Sequence, residues 1–346
     1  MQTIWVSYIR IIACFMVVFL HSVAPLLYVF DELPLHYWLI GNVFDSFVRT
    51  CVPLFFMISG FLLLQKDEPL FLYFSKRLSK LFIPLIFWSL FFVFWRTNVE
   101  GYAELSLFDF YSMVLTPSYY HLWFLYALIG VYFVIPILRK VVVSASSEIL
   151  IYYCILWFVA VALVPLVERV TGIESRIDLN SISGYLGYLV LGVVLGNKKV
   201  TKKDFLISLG LFFLATSFTA VGTYFLTVNN GGNFEPYLYE YLAPNTIVAA
   251  GSAFCIIKYM VVEGRCWQQN RLKLVVKSIG DCTFGIYLIH PIFLYFLLRG
   301  DFGITLSAFS GNPLLYVPLT SLVVFTLSLI VVLAIRTLPI VKLITP

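Results

Sequence analysis

Ten apolar runs follow one another along this chain, at roughly 4–28, 38–64, 81–95, 122–138, 149–166, 182–195, 205–228, 246–262, 284–298 and 314–335. Runs near 20 residues match the ~30 Å hydrocarbon core of a bilayer when coiled as α-helix. The pattern therefore predicts an all-α polytopic membrane protein of about ten transmembrane helices. Composition agrees: 61% of the 346 residues are apolar and 12% are charged, far from the roughly one-quarter charged of a water-soluble domain. No internal repeat and no appended soluble segment stands out, so residues 1–346 are expected to form a single integral-membrane domain.

Charge sets the orientation. Of the 23 basic residues, Arg96, Arg169, Arg176 and Arg299 fall in alternate loops that also carry Asp31, Glu32, Glu100, Glu104, Asp109, Glu235 and Glu240, and Arg49 lies within a span. Every other Lys and Arg falls at the opposite ends of the runs. The positive-inside rule then predicts that both termini are cytoplasmic and that the number of crossings is even. Ser22-Val23-Ala24 resembles a signal-peptide cleavage site, but Pro25 follows it and the apolar run continues, so the first helix is expected to stay uncleaved. The net charge of +5 is what basic loops facing anionic lipid require, and it implies no nucleic-acid partner.

Signatures of soluble enzymes are missing. The six cysteines show no C-x-x-C spacing, and the four histidines form neither an H-E-x-x-H nor a Cys/His cluster, so no metal is expected. A phosphate-binding glycine loop and a G-x-S-x-G elbow are also absent. The outward segments 97–121 and 229–245 are rich in Tyr, Phe and acid, a composition suited both to an interfacial aromatic belt and to a carbohydrate surface.

What remains is a small set of ionisable residues inside the runs, which mark function by default. Arg10 and His21 are eleven residues apart, close to three helical turns, so they share one face of the first helix, with His21 about 16 Å deeper. For His21 the bland alternative is an imidazole bonded to a neighbouring carbonyl; for Arg10 it is snorkelling to headgroups. Asp45 and Arg49 are spaced to pair on one helix face, either as a structural ion pair or as the lining of an acceptor cavity. His121, with Tyr120 and Trp123 beside it, opens the fourth run at the outer face. His290 precedes Pro291, whose missing N–H frees a carbonyl within the ninth run.

Four segments in order carry a family resemblance: Tyr8-Ile9-Arg10 through His21, Val52-Pro53-Leu54-Phe55-Phe56-Met57-Ile58-Ser59-Gly60, His121-Leu122-Trp123-Phe124-Leu125, and Gly285-Ile286-Tyr287-Leu288-Ile289-His290-Pro291. In these the chain resembles the membrane acyltransferase-3 family. Its single-domain form is similar to bacterial O-acetyltransferases of surface glycans, such as those acting on enterobacterial common antigen. The resemblance implies a bacterial inner-membrane enzyme that moves an acetyl group from acetyl-CoA to a hydroxyl of a lipid-linked or surface polysaccharide. It implies His21 as general base with Arg10 orienting the donor, and Arg77 with Lys80 as a site for the CoA phosphates. Asp45, Arg49, His121, Trp123 and His290 are the expected acceptor-binding residues. The chain departs from the family at Ser7, where an acid is common, and at Lys80, where Arg-x-x-Arg would end in arginine; lysine keeps the charge and loses the planar fork. A transporter or flippase for an isoprenoid-linked glycan or a small solute is the alternative that ten helices with buried charges leave open.

Overall fold

The computed structural model describes residues 4–66, 68–102, 115–175, 184–263, 270–338 and 341–346; the side chains of Leu78, Asn270 and Lys342 are also outside the description. Glu104, Asp109, Arg176, Arg265 and Cys266 therefore lie outside the described residues. Most of the described residues form twelve α-helices: α1 (Ile4–Val23), α2 (Leu35–Val48), α3 (Cys51–Leu63), α4 (Leu70–Asn98), α5 (Trp123–Ser144), α6 (Ser147–Phe158), α7 (Val164–Thr171), α8 (Leu186–Asn197), α9 (Lys202–Asn229), α10 (Pro244–Glu263), α11 (Asn270–Arg299) and α12 (Pro313–Arg336). Among the described residues they build nine helical segments long and apolar enough to cross a membrane, plus the shorter apolar α8. Each coincides with one of the ten predicted runs.

Three boundaries differ from the sequence expectation for identifiable reasons. The second span is two helices, because the ring of Pro53 clashes with the carbonyl four residues earlier, at Arg49, and has no N–H to give it; α2 ends at Val48 and α3 begins at Cys51. α4 and α11 extend well beyond their apolar cores, since the turns carrying Lys76, Arg77 and Lys80, and those carrying Lys273 and Lys277, are good helix formers that hydropathy does not register. Local signals fix other ends. Thr201 and Asp204 form a reciprocal capping box at the start of α9. Ser146 caps α6, Asn312 caps α12 ahead of Pro313, and Gly172 ends α7 with φ +70°.

α1 is the central helix. It packs against α2, α3, α10, α11 and α12, burying Ile9, Ala13, Cys14 and Val18 completely. The long helix α9 and the α6–α7 segment instead expose most of their surface, as lipid-facing helices do. A close crossing joins α3 to α8: a methyl group added at Gly60 would overlap the Leu189 carbonyl oxygen, and one at Gly192 would overlap that of Met57. Only glycine permits that approach. The far end of α8 is closed by Lys258 of α10, which is buried and donates from Nζ to the carbonyls of Leu195 (3.0 Å), Gly196 (2.7 Å) and Lys198 (2.6 Å). A cation on a helix C-terminus is matched to the dipole there.

Candidate functional site

The basic end of the bundle opens into a cavity of about 500 Å³ beside α1. Arg10, Arg77, Lys80 and Arg336 line it, with Asp281, Tyr132, Ser59, Cys51 and Phe284 between them, and His21 closes its deep end. Arg10 and His21 therefore do share a face, and that face is a cavity wall. Residues from α1, α3, α4, α11 and α12 converge here together with Pro346, so the first helix and the last residue meet on one side of the bundle. Arg77 pairs with Glu68 at 3.2 Å, and the same carboxylate holds Lys76 at 2.9 Å. The hydrogen bond from Lys76, with the charge of Arg77, keeps the Glu68 carboxyl below its ordinary range. Arg336 donates to the Asp281 backbone carbonyl. Ser7, where the family commonly has an acid, packs on Gly280, and the adjacent Asp281 supplies a carboxylate that attracts Arg10.

A second cavity, of about 880 Å³, opens at the other end. Its wall is aromatic and proline-rich, with Tyr28, Tyr119, Tyr120, Tyr239, Tyr295, Phe309, Pro25, Pro236 and Pro291, and it contains Arg49 and Glu240. Four residues line both cavities: Leu20, His21, Trp123 and Tyr241. Trp123 and Tyr241 stack with ring centroids 5.5 Å apart, leaving His21 as the basic side chain that reaches both spaces.

His21 is held by other rings. Its Nδ1 lies 2.7 Å from Nε2 of His290, with the two imidazoles nearly coplanar in orientation at 4°, and Tyr120 meets it edge-on at 5.0 Å. His290 in turn sets its Nδ1 2.7 Å from the Tyr287 carbonyl. His121 approaches His290 with centroids 5.5 Å apart, and the Tyr287 hydroxyl donates to the His121 carbonyl. Neither ring nitrogen of His121 has a well-formed hydrogen bond among the described residues, although the Leu288 backbone lies near the ring. Among the described residues no three His, Cys, Asp or Glu side chains are disposed to hold a metal ion.

The structure brings Arg10, His21, Arg77, Lys80, His121 and Trp123 to the first cavity, and His21, Arg49 and Trp123 to the second. Asp45 and His290 line neither cavity. Asp45 is fully buried and ion-paired to Arg49, whose guanidinium also lies 4.4 Å above the Tyr239 ring. The pair is thus a structural contact with one member at a cavity wall. His21 is bonded to a second imidazole, an arrangement absent from the sequence expectations. Those expectations also missed Tyr241, Tyr287, Asp281 and Arg336. Tyr241 was hidden in an outward segment where any Tyr suits a belt, and Arg336 counted only as a basic loop residue.

No curated protein and no solved structure matches the chain. Residues 3–334 match the family model described as an acyltransferase domain, a match that runs from the residue before α1 almost to the end of α12 and takes in the histidine between the cavities, the whole second cavity, and the first except Arg336 and Pro346. The chain therefore belongs to the acyltransferase-3 family and is a multi-pass membrane acyltransferase.

Proposed function

We propose that the protein is an O-acetyltransferase that takes acetyl groups from acetyl-CoA and places them on a hydroxyl of a lipid-linked or surface polysaccharide. The observation that supports this best is that His21 lines both a cationic cavity and an aromatic one. The cationic side suits the donor. Arg77, Lys80 and Arg336 attract the CoA phosphates at the mouth, Arg10 orients the pantetheine arm, and the thioester reaches His21. The aromatic side suits a sugar, with faces of Trp123, Tyr120 and Tyr241 for its apolar surface and Arg49 and Glu240 for its hydroxyls.

A neutral imidazole at the junction is placed to accept the hydroxyl proton while the sugar oxygen attacks the thioester carbonyl. The C–O bond forms, the C–S bond breaks, and the proton passes from His21 to the departing thiolate, giving free CoA. With the basic cavity cytoplasmic, as the loop charges require, the enzyme sits in the bacterial inner membrane, takes its donor from the cytoplasm, and has both termini on that side. The transport alternative gives way to the acyltransferase family match over residues 3–334.

Purified protein in lipid, supplied with labelled acetyl-CoA and extracted glycolipids, should transfer label to an alkali-labile ester on the glycan. Label that stays in acetyl-CoA with every extract, although the protein binds CoA, would overturn the acceptor class.

A further inference from the structure

We propose that His290 and Pro291 fix the tautomer of His21, so that Nε2 is the nitrogen that takes the hydroxyl proton. The proposal rests on the assignment of His21 as base.

It begins with a missing atom. In an α-helix the N–H of residue 291 would bond to the carbonyl of residue 287, but residue 291 is proline and has no N–H. The Tyr287 carbonyl is left open within α11, and His290 Nδ1 lies 2.7 Å from it. A carbonyl oxygen only accepts, so Nδ1 of His290 carries a proton. In a neutral imidazole the other nitrogen is then an acceptor. That nitrogen, Nε2, is 2.7 Å from Nδ1 of His21, which must therefore be the donor. His21 is left with its proton on Nδ1 and its lone pair on Nε2.

The competing arrangement, with both nitrogens of His290 protonated, would bury a cation at a residue with no exposed surface. Its hydrogen-bond partners, backbone carbonyl and imidazole, are not anions, so the charge would be uncompensated. His290 lines neither cavity. It is a positioning residue, and it stays neutral throughout: when Nε2 of His21 takes the hydroxyl proton, the new imidazolium keeps its Nδ1–H bond to Nε2 of His290, and the added proton leaves from Nε2 to the thiolate. The residues at 287, 290 and 291 thus encode the protonation state of a side chain 269 positions from His290.

Nitrogen NMR of the full-length protein in lipid, labelled with 15N-histidine, reads the proposal without turnover. The chain has four histidines, and His36→Gln, His121→Gln and His290→Phe, each removing one set, assign the signals. Wild type should show His21 protonated on Nδ1 and bare on Nε2; a proton on Nε2 of His21 overturns the proposal. His290→Phe, which keeps a ring and removes the acceptor, should mix the two tautomers of His21 and lower kcat on the order of 10- to 100-fold, the range for losing the partner that orients a metal-bound imidazole, with KM for acetyl-CoA unchanged. His290→Gln, whose amide oxygen accepts, should recover most of that loss. Equal losses in both variants with an unaltered His21 spectrum would reduce His290 to packing and overturn the assignment. An active His21→Ala enzyme is a separate outcome: it removes the base itself and leaves the spectrum to decide the tautomer.

Discussion

The two cavities differ in what their charges have left to do. In the aromatic cavity Arg49 donates from Nε to Asp45 along one helix face and lies over Tyr239. In the basic cavity Arg10 and Lys80 line the open space, Arg336 gives one donor to the Asp281 backbone carbonyl, and Arg77 leans on a half-shared Glu68 at the rim. Cations already satisfied by protein hold a wall in shape; cations with spare donors attract a polyanion. The contrast teaches that an arginine alone does not mark a donor site, since both cavities have one, and that the partners of each guanidinium decide.

The sharpest way to break this contrast is at the residue the two sides share. His21→Ala should lower kcat by about 10²- to 10⁴-fold, the usual contribution of a general base, while acetyl-CoA still binds in a calorimetric titration. It should also cost about 1–3 kcal/mol of stability, because Nε2 of His290 loses its partner. Retention of most activity would remove His21 from the chemistry.

Next in size is the engaged pair. Asp45→Asn should destabilise the protein by about 3–5 kcal/mol, since a half-buried guanidinium is left without its anion. Replacing both, Asp45→Leu with Arg49→Met, should restore most of the melting temperature. Because Arg49 also lines the aromatic cavity, the restored protein should still bind acetyl-CoA and show a raised KM for the glycan. A double variant with normal glycan kinetics would make the pair purely structural.

The smallest expected effect lies at the rim of the basic cavity. Arg77→Gln with Lys80→Gln should raise KM for acetyl-CoA about tenfold, leave kcat within twofold and leave the glycan KM unchanged, as loss of ground-state phosphate attraction does. The effect should shrink as salt is added. If donor and acceptor constants rise together, the two cavities are not separate subsites.

Much of this was written in the local sequence. Arg10 and His21 are legible as one face because the eleven-residue spacing is itself the geometry, and Asp45 with Arg49 is legible for the same reason. The break between α2 and α3 is encoded by Pro53, yet an apolar run from 38 to 64 conceals it, since hydropathy averages over residues that keep or lose an N–H alike. The His21–His290 bond is of another kind. It joins the first helix to the eleventh, and no periodicity within either one fixes how they are rotated against each other; the only local trace is Pro291. Tyr241 and Arg336 were lost to ambiguity of residue type, because a tyrosine at the rim or an arginine at a helix end has an ordinary interfacial use.

The tight crossing of α8 against α3 bears on how the chain is made. At 1.5 Å per residue the 12 residues of α8 reach only ~18 Å, well short of a ~30 Å hydrocarbon core. Its three glycines lie against Trp157 of α6, Met57 of α3 and Phe61 of α3, all of which leave the ribosome before it does. Lys258, which closes its far end, is synthesised after it. During translation α8 thus meets a groove already laid down by earlier helices and waits for α10 to fasten it, so the order of synthesis is also an order of assembly.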